Sequence, residues 1–185
     1  MCRGVLLSVA LLVLAAGSED HPIHRCDRAS AREARRSIKD LLLPLAQQYG
    51  AELSPSCPLH SDHDRLLGHE SQKKSLTQYQ WRCTICGKVF KNEAYLDMHM
   101  DRKHLDTLPT NATVCLGEYC DNLRCPSFML RIKRESYDAC RPNELAARRH
   151  FCQHLIHDCF PESAGHAVFE AIALQLCGFD FTLGD

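Results

Sequence analysis

The sequence predicts an α+β chain that is mostly helical and cysteine-rich, with a small two-cysteine, two-histidine unit between an N-terminal helix and a disulfide-stapled helical C-terminal region. Three observations predict it. Apolar residues recur at three- and four-residue spacing from Asp27 to Tyr49, and two further helical stretches follow Pro142. Twelve of the 185 residues are cysteine, a density that chains reach mainly by forming disulfides or binding metal. Between the helical stretches, two cysteines and two histidines fall in the pattern C-x2-C-x12-H-x4-H.

Length and composition bound the rest. The chain has room for one ordinary domain or two or three small modules. At 45% hydrophobic it is too apolar for a disordered chain, and 9 Gly and 8 Pro are too few for a fibrous one. A net charge of −1 argues against nucleic-acid binding through bulk charge, so any basic surface has to be local.

The N-terminus decides how the cysteines are read. Arg3, the apolar run Val5 to Ala16 and the small residues Ala15-Ala16-Gly17 form the three-part layout of a signal peptide over 1–17. The run is too short to span a bilayer, and no later segment is long and apolar enough to do so. Asn111-Ala112-Thr113 is an N-glycosylation sequon within a linker over 105–114. Secretion, or residence in the lumen of the secretory pathway, is the expected destination; the nucleus is the alternative should residues 1–17 not act as a signal.

Residues 18–50 read as an N-terminal amphipathic helix with Ala34, Ile38, Leu41, Leu42, Leu45 and Tyr49 on its apolar face and Gly50 as its stop. Pro44 should kink or end it early. Arg25, Arg28, Arg32, Arg35, Arg36 and Lys39 form a basic stripe. It reads as a solvated face offset by acidic residues elsewhere, the other reading being a dock for sulfated glycans, anionic lipid or an acidic partner. Residues 51–80 read as a polar linker; its Cys57, His60, His63 and His69 form a loose cluster without a well-spaced ligand pair.

Residues 115–185 form the Cys-rich helical region. One helix is expected from Pro142 to Cys159, with Leu145, Cys152, Ile156 and Cys159 facing a core, and a second from Glu162 to Leu176. Phe128 to Ile132 is too short for periodicity to assign. His150, His154 and His157 share a face opposite the cysteines, read as solvated, with zinc binding or charging on acidification as the alternatives.

The strongest signal is the segment 81–104. Cys83, Cys86, His99 and His104 have the spacing of a structural zinc site: two thiolates on a hairpin knuckle and two imidazoles about a helical turn apart can meet at the corners of one tetrahedron. Phe90 follows Cys86 by four residues, and Leu96 precedes His99 by three. The segment resembles the C2H2-type zinc finger. That resemblance implies a ββα unit with Zn2+ held by Cys83, Cys86, His99 and His104, a core of Phe90 and Leu96, a turn at Gly87 and Lys88, and Trp81 as the aromatic before the first ligand.

In that family three helix positions face base edges, which here are Asn92, Tyr95 and Met98. Tyr and Met are poor base readers, one finger covers only about 3 base pairs, and the segment's basic excess is slight, so a specific nucleic-acid partner is not expected. A redox-active reading of Cys83-Thr84-Ile85-Cys86 would need the first thiol at a helix N-terminus, whereas Gly87 to Phe90 reads as a strand.

One cysteine, Cys2, lies in the signal and two in the finger. Nine are left as disulfide candidates: Cys26, Cys57, Cys115, Cys120, Cys125, Cys140, Cys152, Cys159 and Cys177. Cys26 and Cys57 could bracket the first helix. The odd number allows a covalent dimer through the spare thiol. The chain therefore reads as a secreted or luminal, non-enzymatic module that recognises an unidentified protein partner, with structural zinc. The alternatives are an intracellular finger that binds nucleic acid and a thiol-disulfide oxidoreductase.

Overall fold

The computed structural model describes residues 26–134, 142–160 and 165–177. The expected signal peptide, Arg25 and Cys140 lie outside the described residues.

The Asp27 carboxylate accepts a hydrogen bond from the Ser30 amide at 2.8 Å, capping helix α1 (Arg28–Ser37). Pro44 does not end the helix. A π turn over Ile38–Leu42 carries the chain into α2 (Leu43–Gln48), where Pro44 sits in the first turn and its missing N–H leaves no bond broken. The buried face runs through the π turn but is narrower than expected. Ala31, Ala34, Ile38, Leu42 and Ala46 point inward, and the expected core residues Leu41 and Tyr49 are exposed. Gly50 ends the helix as expected, with its N–H on the Gln47 carbonyl and that of Ala51 on Ala46.

The segment 51–80 is not a tether. The Ser54 amide donates to the Cys159 carbonyl, Cys57 is bonded to Cys159, and Leu59 and Leu66 are fully buried. Beyond a 3-10 turn at Ser61–His63 come a short helix α3 (Leu67–Ser71) and strand β1 (Lys73–Thr77). Periodicity missed this segment because its anchors are isolated leucines and one disulfide rather than a repeating face.

Strand β1 pairs antiparallel with β2 (Gln80–Cys83), with Lys74 opposite Arg82, and β2 pairs with β3 (Val89–Phe90), with Trp81 opposite Phe90. Helix α4 (Glu93–Lys103) follows, capped by the Asn92 side chain, which accepts from the Tyr95 amide at 3.0 Å. The ββα arrangement is thus present, extended by a third strand. After a 3-10 turn at Leu105–Thr107 the chain returns to its starting point. Asp64 and Val114 form a parallel bridge, with the Arg65 amide on the Val114 carbonyl and the Val114 amide on that of His63. The two ends of the finger unit are therefore joined by this one bridge, and within its return segment Ala112 is buried while Asn111 and Thr113 are exposed.

The remaining elements are α5 (Pro126–Arg134), α6 (Pro142–Cys159) and α7 (His166–Cys177). The ambiguous run from Phe128 is helical, and the Leu145 side chain lies outside the described set. Cys152, Leu155, Ile156 and Cys159 of α6 meet Val168, Ile172, Leu176 and Cys177 of α7 in one core with α1 and α2. Among the described residues four disulfides close it: Cys26–Cys115, Cys57–Cys159, Cys120–Cys125 and Cys152–Cys177. Cys26 and Cys57 are each bonded across the fold rather than to one another. Near the first disulfide, Gly117 sits so close to α1 that a Cβ would lie 3.1 Å from the Ala31 nitrogen.

Candidate metal centre

Cys83 and Cys86 stand on the knuckle between β2 and β3. The Cys83 amide donates to the Lys88 carbonyl at 2.9 Å and the Gly87 amide to that of Cys83 at 2.8 Å, a turn that puts Gly87 at φ +75°, where glycine carries no penalty. The Thr84 amide donates to the Gln72 carbonyl at 2.9 Å, fastening the knuckle to the start of β1. His99 lies on α4 and His104 at its C-terminus.

The ligand atoms of Cys83, Cys86, His99 and His104 all lie within 4.8 Å of one another. Cys86 Sγ is 3.2 Å from His99 Nε2, which is 3.2 Å from His104 Nε2. Zn–S and Zn–N bonds of about 2.3 and 2.0–2.1 Å at tetrahedral angles separate S from N by about 3.6 Å and N from N by about 3.3 Å. The donor set fits zinc. The protein fills all four positions, the closed arrangement of structural sites, so zinc there would cross-link the knuckle to the helix.

The surroundings suit that role. Cys83 is buried beside Met100, Sγ to Sδ 3.7 Å, and burial pushes its thiol above the ordinary value, so the thiolate needs a cation. Burial pushes the His99 imidazole down, and the His104 ring with the Lys88 and Lys103 charges acts the same way, which keeps His99 neutral and able to ligate. Leu96 is fully buried with Cys83 and Met100, and Phe90 and Trp81 pack against them. Met100 was not singled out from the sequence, although it lies one turn after Leu96.

The other expected sites disperse. Cys57 is in a disulfide, His60 and His63 are half-exposed, and the His63 ring bonds the Pro55 carbonyl. His150 and His154 meet edge to face at 4.4 Å on the surface and His157 meets Phe169, but the three do not converge as a ligand set. Glu33 lies near Cys120 and Cys125, but those sulfurs are bonded to each other. The Cys83–Cys86 pair is on a hairpin, not at the helix N-terminus that lowers a redox thiol's pKa.

The basic stripe divides: Arg36 and Lys39 are exposed, as a solvated face requires, whereas Arg28, Arg32 and Arg35 are turned into the fold and paired. Arg28, Arg32 and Arg35 of α1, with Lys73 of β1, interlock with Asp64, Glu70, Glu93, Asp97 and Asp101. Lys73 Nζ is 2.8 Å from Glu70, from Glu93 and from Asp97, and Arg32 is 3.0 Å from Asp97. Arg28 pairs with Asp101 and, at 3.4 Å, with Glu70, and Arg35 with Asp64 at 2.7 Å. Behind this lattice His69, fully buried, lies 2.8 Å from Arg28 through Nδ1 and 2.8 Å from the carbonyl oxygen of the ligand His104 through Nε2. The finger helix is thus docked on the disulfide-bonded core. The acidic stripe was not singled out from the sequence; its i, i+4 spacing at 93, 97 and 101 matches that of 28 and 32, but spacing alone does not pair the two.

A knuckle-and-helix cluster of two thiols and two imidazoles with no open position has the donor set of a structural zinc site. Residues 81–101 match the family model of the C2H2-type zinc finger, and His104 lies just beyond that match. No curated protein and no solved structure matches the chain.

Proposed function

We propose that the chain is a secreted or luminal recognition protein without enzymatic activity, in which a zinc-held finger is presented on a disulfide-bonded helical platform and binds a protein partner. The observation that carries this reading is the salt-bridge lattice. The acidic edge of α4 is committed to α1 and β1, leaving the Tyr95 and Met98 edge facing outward. Four disulfides favour an oxidising compartment. Asn111 is exposed in its sequon, and no helix among the described residues is long and apolar enough to cross a membrane.

The family match alone favours a second reading, an intracellular finger on nucleic acid. The bases would then meet Tyr95 and Met98, and Asn92, whose carboxamide is engaged as the helix cap. Expression of the full chain in secretory cells tests both. Native mass spectrometry of the medium should find a cleaved, glycosylated protein with one zinc and its disulfides formed. An unglycosylated, reduced protein retained in the nucleus would overturn the first reading.

A further inference from the structure

The finger has five basic residues, Arg82, Lys88, Lys91, Arg102 and Lys103, against three acidic ones, Glu93, Asp97 and Asp101. Docking removes the acidic ones from play. All three carboxylates face Arg28, Arg32 or Lys73. All five basic side chains are exposed, and none forms an ion pair among the described residues. The outward side of the finger is therefore basic without internal compensation, a property its own composition conceals.

That side also has an apolar centre. Tyr95, Met98 and Arg102 recur at three- and four-residue spacing on the edge of α4 turned away from Asp97 and Asp101. Tyr95 and Met98 are each 42% exposed. Lys91 Nζ sits 4.7 Å over the Tyr95 ring, and Lys88 and Lys103 flank His99. Aromatic, Met and Arg side chains are the types enriched where proteins meet.

We propose that this face binds an acidic polypeptide segment bearing apolar side chains, with Tyr95 and Met98 as anchors and Lys88, Lys91, Arg102 and Lys103 as counter-charges. The inference rests on the recognition role above and adds the partner's chemistry. A purely polyanionic ligand such as a sulfated glycan or a nucleic-acid backbone would satisfy the cations but leave both apolar anchors uncovered. An acidic segment with apolar side chains satisfies both, and the charge complementarity sets its orientation.

The test uses the zinc-loaded, disulfide-bonded full chain and fluorescence anisotropy with a labelled peptide of Glu-Glu-Leu-Phe repeats. Polyglutamate, heparin and a DNA duplex serve as comparison probes. The wild type should bind the peptide. The pairs Lys91→Glu/Arg102→Glu and Tyr95→Ala/Met98→Ala should each weaken binding by about tenfold or more, with zinc content unchanged. A Lys-Lys-Leu-Phe peptide should bind the charge-reversed protein better than the wild type. No binding by the wild type overturns the proposal. So does binding indifferent to Tyr95→Ala/Met98→Ala, or heparin or DNA binding as tightly as the peptide. A silent peptide leaves the exported zinc protein intact as a reading, whereas retention inside the cell overturns that reading without touching the binding result.

Discussion

Arg28 and His69 fix each other's chemistry. A guanidinium has only donors, so His69 Nδ1, 2.8 Å from Arg28 Nη2, must accept, and the ring proton must sit on Nε2, which donates to the His104 carbonyl at 2.8 Å. One neutral tautomer therefore links the disulfide-bonded core to the backbone of a zinc ligand.

Acidification should act on this link. Burial, reinforced by the Arg28 charge, holds the His69 pKa below its ordinary 6.5. The folded state then binds the proton less readily than the unfolded one. Its stabilisation is complete above the unfolded pKa and is lost as pH falls below about 6.5. Urea denaturation of zinc-saturated protein between about pH 7.5 and 5 should show stability falling, with a shallower slope for His69→Gln. Equal slopes would remove His69 from the account.

Lys73 holds three carboxylates together. Its side chain is 2% exposed and meets Glu70, Glu93 and Asp97 at 2.8 Å each. Lys73→Met should cost about 2–4 kcal/mol in denaturant unfolding, because three partly buried carboxylates lose their shared cation. The exposed neighbour Lys74→Met should stay within about 0.5 kcal/mol. Similar losses for the two would show that the lattice contributes no more than a surface pair.

Zinc removal should be felt beyond the finger. Chelation should unfold α4, since a unit of this size relies on metal for its folding free energy, and release Arg28, Arg32 and Lys73 from their carboxylates. Trypsin should then cut after Arg32 and Lys73, sites protected in the zinc form, while the fragments stay joined on a non-reducing gel. Identical cleavage with and without chelator would show that docking does not depend on the metal.

The disulfides predict a peptide map. Non-reducing digestion should yield the Cys26–Cys115, Cys57–Cys159, Cys120–Cys125 and Cys152–Cys177 pairs, with Cys140 bonded to none of those eight. Replacing Cys57 and Cys159 by Ser, which opens a link spanning 102 residues, should cost about 2–5 kcal/mol. A map joining Cys26 to Cys57 would contradict the fold.

What was legible in the sequence follows physical range. The zinc ligands, Phe90, Leu96 and the extent of α6 were readable because each rests on spacing within one element. Of the expected face of the first helix, Ala34, Ile38 and Leu42 are buried, while Leu41 and Tyr49 are exposed and Ala46, not singled out, takes the next buried position beyond the π turn. Disulfide partners and the Arg28–Asp101 docking join residues tens of positions apart, where spacing is silent. The stripe on α1 was correctly seen as basic and as offset by acids, and its burial became visible only when its partner stripe on α4 was placed against it.

The bridge between Asp64 and Val114 brings the two ends of the finger unit side by side. Domains whose ends meet can be inserted into a host loop without disturbing it. The finger is thus a graft in architectural terms: recombination at two adjacent points adds it to, or removes it from, the disulfide-bonded core. In any such exchange, the compatibility test for an incoming finger is whether its helix brings carboxylates in register with Arg28 and Arg32.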